Sequence, residues 1–330
     1  MAKALVILNP SAAPEVRESV LQALELHFPA AHIDYTIHEP RKGDAFGEIV
    51  RARLGEGFDL VVAAGGDGTV SAVVDGLAGS AVPLGIIPTG TANLVARELN
   101  IPLVPREAVE LIVRAPRSRT IDAMRIGSRV YVLVAGIGIS ASVAGGTTRR
   151  NKRRFGLIAY LGAAILKVFE FGPRHLEVAV DGISQKHHAI EVAILNCGIL
   201  AAMLFPKRPD IHVDDGHLDV WILDTKTLLD YPRYLFRIFA RRPGNPRAHF
   251  ITAERSITVK SATPLPVQAD GDVIGTTPVE IEVLQGAVRV FVPVKPAVEP
   301  GLQLAREIFL AQYFSGTARK RSRNLPIIRL

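Results

Sequence analysis

Apolar and polar positions along the first hundred residues fall into short alternating blocks. "KALVILNP" is an apolar run ended by a turn, and Val16, Val20, Leu21 and Leu24 follow at helical spacing, which predicts a strand and then a helix. "HIDYTIH" repeats the strand pattern and residues 43–54 the helical one. "DLVVAAGG" reads as a buried strand that runs straight into glycines. After Thr69 the apolar positions Val70, Val73, Val74 and Leu77 lie at i, i+3, i+4 and i+7, so the glycine turn opens a helix. The cycle then recurs, with "PLGIIP" as strand, "TGTAN" as turn, and Ala92, Val95, Ala96 and Leu99 as a helical face stopped by Pro102. Such alternation predicts a parallel sheet with right-handed helical crossovers. Ligands of such sheets sit beyond the carboxyl ends of the strands, where both turns lie.

From about residue 120 the pattern shortens to a period of two. "RVYVLVAG", "HLEVAVDG", "AIEVAILN", "HLDVWILD", "SITVK", "PVEIEV" and "AVRVFVP" are β-rich runs separated by turn residues. The fold class expected is therefore α/β, a parallel-sheet nucleotide-binding domain plus a second, antiparallel β-sandwich-like domain. Helical inserts are expected at 156–171 and 228–241, and "LQLAREIFLAQYF" after Pro300 reads as an amphipathic helix. The domains expected are 1–120, with 301–315 returning to it, then 121–300 as a β-rich substrate domain, and 316–330 as a basic tail.

Length supports two cores, since single cores stop growing near 330 residues. One cysteine, Cys197, excludes an internal disulfide, and the amino terminus lacks the charged-then-apolar pattern of a secretory signal, which points to the cytoplasm. The most apolar segment, "GLIAYLGAAILKVFEFG", is interrupted by Lys167 and Glu170 and is not read as a membrane span. The net charge of +7 and pI near 9.7 favour an anionic partner. Basic residues cluster in "RRNKRR" at 149–154 and in "ARKRSR" near the carboxy terminus; solvated loops account for them equally well.

The chemistry concentrates in "AAGGDGTVSAVVDG", residues 63–76. Glycines after a buried strand let backbone N–H groups approach a ligand, and the helix start adds partial positive charge, which is phosphate-binding geometry. Asp67 fits beside phosphate once a divalent cation such as Mg²⁺ accompanies the nucleotide. The other reading is a tight turn with Asp67 capping its own helix. Neither turn has the Walker spacing, and Ser71 occupies the third glycine position of a dinucleotide fingerprint. A looser match, Gly136, Gly138 and Ala141 in "AGIGISA", is followed by polar and basic residues rather than by a packed helix.

"GGDGTV", followed about twenty residues on by "PTGTANLVAREL", resembles the diacylglycerol kinase catalytic domain, in particular the soluble bacterial lipid kinases related to sphingosine kinases. "DDGHLDV" at 214–220 and "ADGDVIGTTPVEIEV" at 269–283 are similar to that family's carboxy-terminal signatures, in order, so the resemblance spans roughly residues 3–295. NAD kinases and phosphofructokinases share the glycine loop; the second domain favours the lipid branch. The resemblance implies that Gly65, Gly66, Asp67, Gly68 and Thr69 cradle the phosphates of ATP, with Asp67 near the catalytic Mg²⁺. It also implies that Thr91 and Asn93 complete the nucleotide pocket, and that Asn9 lies at its edge. The implied general base is Asp272, standing where the family usually has glutamate, and Ser140 stands where an aspartate is common. A structural Mg²⁺ is implied at Asp215 and the main-chain carbonyls of His212 and His217. Zinc held by both imidazoles and Asp215, or a plain Asp–Gly turn with solvated histidines, are the alternatives for that stretch.

A lipid kinase meets its substrate at a bilayer, and the basic run before "FGLIAYLGAAILKVF" together with "YPRYLFRIFARR" suits peripheral contact with an anionic membrane; packing onto the β domain is the competing reading. The function expected is ATP-dependent phosphorylation of a lipid hydroxyl, with diacylglycerol first and sphingosine or phosphatidylglycerol next. NAD kinase and a non-catalytic nucleotide- or lipid-binding regulator are the rivals. No nucleic-acid reading motif is present, so nucleic acid is not expected as a partner, and a homodimer through an exposed β edge stays open.

Overall fold

The structure, a computed structural model, describes residues 1–41, 43–115, 117–146, 172–204, 211–225 and 248–294. The expected helices at 156–171 and 228–241, the basic run at 149–154, the helix after Pro300 and the basic tail lie outside the described residues.

The first layer runs β1 (Ala2–Leu8), α1 (Pro14–His27), β2 (Ile33–His38), α2 (Phe46–Arg53), β3 (Leu60–Gly65), α3 (Asp67–Leu77), β4 (Leu84–Pro88), α4 (Leu94–Glu98) and α5 (Pro105–Arg114). Then come β5 (Ser118–Ile126), β6 (Arg129–Tyr131), β7 (Val134–Gly138), α6 (Ile139–Gly146), β8 (Arg174–Val180), β9 (Ile183–Leu195) and α7 (Gly198–Leu204). The chain closes with β10 (Leu218–Asp224), β11 (Ala248–Ala253), β12 (Ser256–Ser261), β13 (Pro266–Ala269), β14 (Asp272–Thr276) and β15 (Val279–Phe291).

Strands β4, β3, β1 and β2 lie in that order and pair in parallel, as the alternating pattern requires. β1, β3 and β4 are buried on both faces and read as continuous apolar runs, the mark of a parallel sheet covered by helices. β5 to β15 pair with one another antiparallel. β15 joins the two regions: Val290 pairs in parallel with Leu84 of β4, while the same strand pairs antiparallel with β5 and β12. Residue 120, where the composition shifts, lies inside β5, and Ile121, Ala123, Val288, Val290 and Val292 pack into the core of the first layer. A second core, including Val178, Val192, Val220, Ile257 and Ile281, fills the antiparallel region.

Several elements differ from the sequence pattern for identifiable reasons. "PVEIEV" and "AVRVFVP" form one long strand, β15, whose register shifts between Leu284 and Val288. Gly286, at φ +56°, lets the chain bulge there, and its N–H donates to Asp122 at 2.7 Å. "RVYVLVAG" splits into β6 and β7 because the amides of Val132, Leu133 and Val134 turn to the Asp270 carboxylate. α4 begins only at Leu94, since Asn93 adopts φ +49° and bonds back to Gly90. A helix, α6, does follow "AGIGISA", correcting the expectation of none: the Ser140 amide at its start is capped by Glu191, 51 residues away.

Two Asp–Gly turns are built alike. Asp181–Gly182 joins β8 to β9 with φ of +50° and +91°, and Asp270–Gly271 joins β13 to β14 with φ of +48° and +92°. Positive φ at both central residues is the type I′ turn that matches strand twist. Each aspartate accepts three successive backbone amides from a neighbouring segment, Glu254, Arg255 and Ser256 in one case and Val132, Leu133 and Val134 in the other. Cys197 is a buried free thiol beside Glu98; burial pushes both groups up, and Glu98 accepts the Ile199 amide at 2.8 Å, tying α4 to α7.

Candidate active site

The glycine loop follows β3 and opens α3 at Asp67. Its glycines are required for different reasons. A Cβ on Gly65 would stand 2.3 Å from the Thr69 side chain, and one on Gly66 would stand 3.1 Å from the α-carbon of Gly90. These two glycines therefore serve packing, the second by letting the loops after β3 and β4 touch backbone to backbone. Gly68 is exposed, and a Cβ there would meet nothing within 4 Å. The bare backbone at Gly68 faces open space at a helix start, where the Asp67 and Gly68 amides lack intrahelical acceptors.

Asn9, after β1, donates from Nδ2 to Thr69 Oγ1 at 2.6 Å and accepts the Ser11 amide at 2.8 Å, so the first strand's turn is held against the loop. Asn93 uses its side-chain amide to close the Gly90–Asn93 turn, while Thr91 beside it is exposed. Asp67 does not cap its own helix. Its Oδ1 accepts the Val95 amide at 3.3 Å, at the start of α4, so it bridges the two loops. Partial burial pushes its carboxyl up, against hydrogen bonds from Val95, Leu94 and Asn93, and the Asp270 charge adds to the rise.

Asp272 is exposed and opens β14, one residue beyond the Asp270–Gly271 turn. The structure brings this turn to the glycine-loop helix. The Ser71 hydroxyl on α3 donates to Asp270 Oδ2 at 2.5 Å, while the same carboxylate takes the three amides of 132–134. α3 is fastened once more where Asp75 Oδ1 accepts the Val130 amide at 2.8 Å, with Arg51 Nη2 3.4 Å from the other oxygen. Tyr131 lies among these groups: burial pushes its phenol up, Arg129 opposes, and the charges of Asp270, Asp75 and Asp272 add to the rise. Ser71, Asp75 and Asp270 are functional candidates that sequence reasoning missed. The signal was present, because Asp67, Ser71 and Asp75 form a polar i, i+4, i+8 stripe on an otherwise apolar helix.

The "DDGHLDV" stretch is arranged differently. Asp215 accepts the backbone amides of His212 at 3.1 Å and His217 at 3.3 Å, and the His217 imidazole lies 3.3 Å from the same carboxylate. Asp214 pairs with Arg119, and Asp122 accepts the Gly216 amide at 2.7 Å. These are the contacts of an Asp–Gly turn. Three His, Cys, Asp or Glu side chains able to hold a metal ion do not converge here or elsewhere among the described residues, which bears on the zinc alternative; Mg²⁺ at Asp215 and the main-chain carbonyls of His212 and His217 is a different ligand set, and the reaction proposed below takes no step through it.

A strand, glycine loop and helix in the parallel region thus face a carboxylate-bearing turn from the antiparallel region of one continuous sheet, an arrangement suited to setting a phosphate against an acceptor group. Residues 3–126 match the diacylglycerol kinase catalytic domain, and residues 133–292 match the YegS C-terminal NAD kinase beta sandwich-like domain. The chain belongs to the diacylglycerol kinase catalytic-domain family, whose members are ATP-using lipid kinases. It is 28% identical over 306 residues to a diacylglycerol kinase of Bacillus subtilis (strain 168), covering 90% of this chain and 98% of the relative. It is equally 28% identical over 300 residues to a diacylglycerol kinase of Staphylococcus saprophyticus, covering 88% and 95%, and over 304 residues to an uncharacterised protein of Synechocystis sp., covering 88% and 70%. A solved structure of a diacylglycerol kinase from Bacillus anthracis str. Sterne superposes with a TM-score of 0.65 over 88% of this chain and 97% of that one, at 21% identity, which carries the fold.

Proposed function

We propose that the chain transfers the γ-phosphate of ATP to the hydroxyl of diacylglycerol. The observation that carries the reading is the 2.5 Å hydrogen bond from Ser71 to Asp270, which fastens the helix of the glycine loop to the turn that presents Asp272. Nucleotide side and acceptor side are thereby held in one constellation, and phosphoryl transfer depends on such alignment more than on covalent chemistry.

On this reading the open face at Gly68 and the amides opening α3 receive the phosphates, with Gly65, Gly66 and Thr69 shaping the loop. Thr91 and Asn93 border the nucleotide, and Asn9 secures the edge of the loop. Asp67 supplies a hard carboxylate oxygen for Mg²⁺, which when bound neutralises phosphate charge. Its raised carboxyl fits, since a cation would offset the same unfavourable burial that pushes it up. Asp272 accepts the proton of the lipid hydroxyl as that oxygen attacks the γ-phosphorus, the bond from the γ-phosphorus to the β,γ-bridging oxygen breaks, and ADP leaves. The lipid is met at the face of an anionic membrane, a reading supported by the +7 charge; no helix among the described residues is long and apolar enough to cross a bilayer.

The test is transfer of labelled γ-phosphate from Mg·ATP into a panel of diacylglycerol, sphingosine, phosphatidylglycerol and NAD, with wild type beside Asp272→Asn. Label in diacylglycerol that vanishes in the variant is the expected result. Label in another acceptor would reassign the substrate, and ATP binding without transfer to any of them would leave a non-catalytic regulator.

A further inference from the structure

We propose that Glu191 and Gln268 are positioning residues for Asp272, acting through the space that Gly136 leaves open. The inference rests on the kinase reading above for its kinetic consequence, but its geometry stands independently.

Gly136 on β7 pairs with Gln268 of β13 on one side and Ala193 of β9 on the other. A Cβ built on it would stand 2.3 Å from Ser140 Oγ, 2.8 Å from Gln268 Nε2 and 3.2 Å from Glu191 Oε1. Three polar groups from α6, β13 and β9 thus converge over one α-carbon. Glu191 Oε2 accepts the Ser140 amide at 2.9 Å, and its Oε1 accepts the Ser140 hydroxyl. The other end of the Gln268 amide faces the turn: its Oε1 accepts the N–H of Gly271 at 2.9 Å. Gly271 is the second turn residue and the immediate neighbour of Asp272. One amide side chain therefore runs from the space over Gly136, which Ser140 and Glu191 also line, to the Asp270–Gly271 peptide just before Asp272.

Glu191 and Gln268 are only 5% and 7% exposed. Buried polar groups of this kind carry a desolvation penalty unless their partners are held in place, and a satisfied network of them fixes one geometry. α6 contacts both β13 and β14, so the helix that Glu191 caps also braces the hairpin. Burial pushes the Glu191 carboxyl up to about 8, against hydrogen bonds from Ser140 and Ile139. The described charged and titratable groups on the elements packed about it are Lys186, His187 and His188 on β9 itself, Arg174, His175 and Glu177 on β8, Asp219 and Asp224 on β10, Asp270 at the β13 turn and Asp272 on β14, and none of these is a cause of the rise. Burial thus holds the carboxyl mostly protonated near neutral pH. Its ionisation places a charge in a buried site where the Ser140 amide and hydroxyl offset the cost of burial only in part, so hydrating it disturbs the packing around Gly136.

The experiment uses the full chain and has two readouts. In steady-state transfer from Mg·ATP to diacylglycerol micelles, Glu191→Ala and Gln268→Leu are expected to lower kcat tenfold or more, with KM for ATP within about twofold. Wild type is expected to lose kcat above about pH 8, and Glu191→Gln to recover most of the Glu191→Ala loss at pH 7 and to lack that fall. In hydrogen exchange, amides 269–273 are expected to lose protection at least tenfold in Gln268→Leu at pH 7, and in wild type relative to Glu191→Gln at pH 9. An unchanged alkaline limb in Glu191→Gln, or wild-type exchange at 269–273 in Gln268→Leu, overturns the proposal. Absence of transfer by wild type to any acceptor overturns the kinase reading instead, and exchange at 269–273 then decides this inference alone.

Discussion

Gly68→Ala separates what the glycine loop does for the fold from what it does for a ligand. The added methyl meets nothing within 4 Å and the backbone there needs no left-handed conformation, so the folded state accepts it without strain. Gly68 lies in the first turn of α3, and alanine is favoured over glycine in a helix by roughly 0.5–1 kcal/mol. At a terminal turn the lower end applies, and for a chain of this size the melt should rise by about 1–2 °C. The nucleotide suffers the opposite effect. A methyl over the Gly68 amide denies a phosphate oxygen its approach, and losing one hydrogen bond to a charged group costs about 1.5–3 kcal/mol, or roughly a 10- to 150-fold weaker Kd. The assay is a pair of titrations with Mg·ATP by calorimetry alongside thermal melts. Gly66→Ala is the control of opposite sign, since its methyl would press on the Gly90 backbone at 3.1 Å and should lower the melt while also weakening ATP. ATP affinity within threefold of wild type in a Gly68→Ala protein with a raised melt would refute the assignment of that open face to phosphate.

Ser71→Ala removes the bond that joins α3 to the Asp272 turn, and should cost about 1.5–3 kcal/mol of stability by urea denaturation with kcat reduced about tenfold or more and the Kd for ATP unchanged. Asp67→Asn should lower kcat about a hundredfold or more while the melt moves little, because an amide oxygen still accepts the Val95 N–H; radiolabel transfer and calorimetry read the two effects. Glu191→Gln should change the pH dependence of stability. Its carboxyl is held near 8 in the fold against 4.5 for an ordinary glutamate, so the folded state binds the extra proton and stability falls as pH rises from about 4.5 to 8. The variant should lack that decline, and urea denaturation at pH 5 and pH 9 should show its advantage over wild type growing by several kcal/mol at most, of order 1.4 kcal/mol for each tenfold difference in proton affinity between the folded and unfolded chain.

The parallel layer was legible because its determinants are local. β3, its glycine loop and α3 follow one another within eighteen residues, and apolar spacing alone places Gly65 to Thr69 at the end of a strand. The antiparallel layer was legible in its apolar strands and less so where the backbone serves a distant side chain. β13 and β14 are four and five residues long, the first opening on Pro266 and the second carrying Gly275, and their pattern is that of a loop; only the Asp–Gly pair signalled a hairpin. Glu191 in "AIEVAIL" reads as the polar position of a half-exposed strand, yet it is buried, since its partners Ser140 and Gly136 lie more than fifty residues earlier. The break between β6 and β7 likewise has no local cause, because the carboxylate that draws those amides lies 136 to 138 residues away.

The two Asp–Gly turns show where function enters such a fold. Asp181 and Asp270 share a turn type, a backbone bond of 2.9 Å from the aspartate amide to a neighbouring strand, and a carboxylate that gathers three successive N–H groups. Either turn, taken alone, is a device for locking a hairpin to the next segment. What separates them is a fourth donor: Asp270 also takes the Ser71 hydroxyl from α3, while Asp181 is reached from an exposed loop by Arg255. A structural clamp becomes part of a candidate active site by this one added bond, because it couples the residue after the turn to the helix that begins at the glycine loop. Placing Ser71 a single position along α3 would turn its hydroxyl about 100° away, and the two halves would be packed together without being aligned.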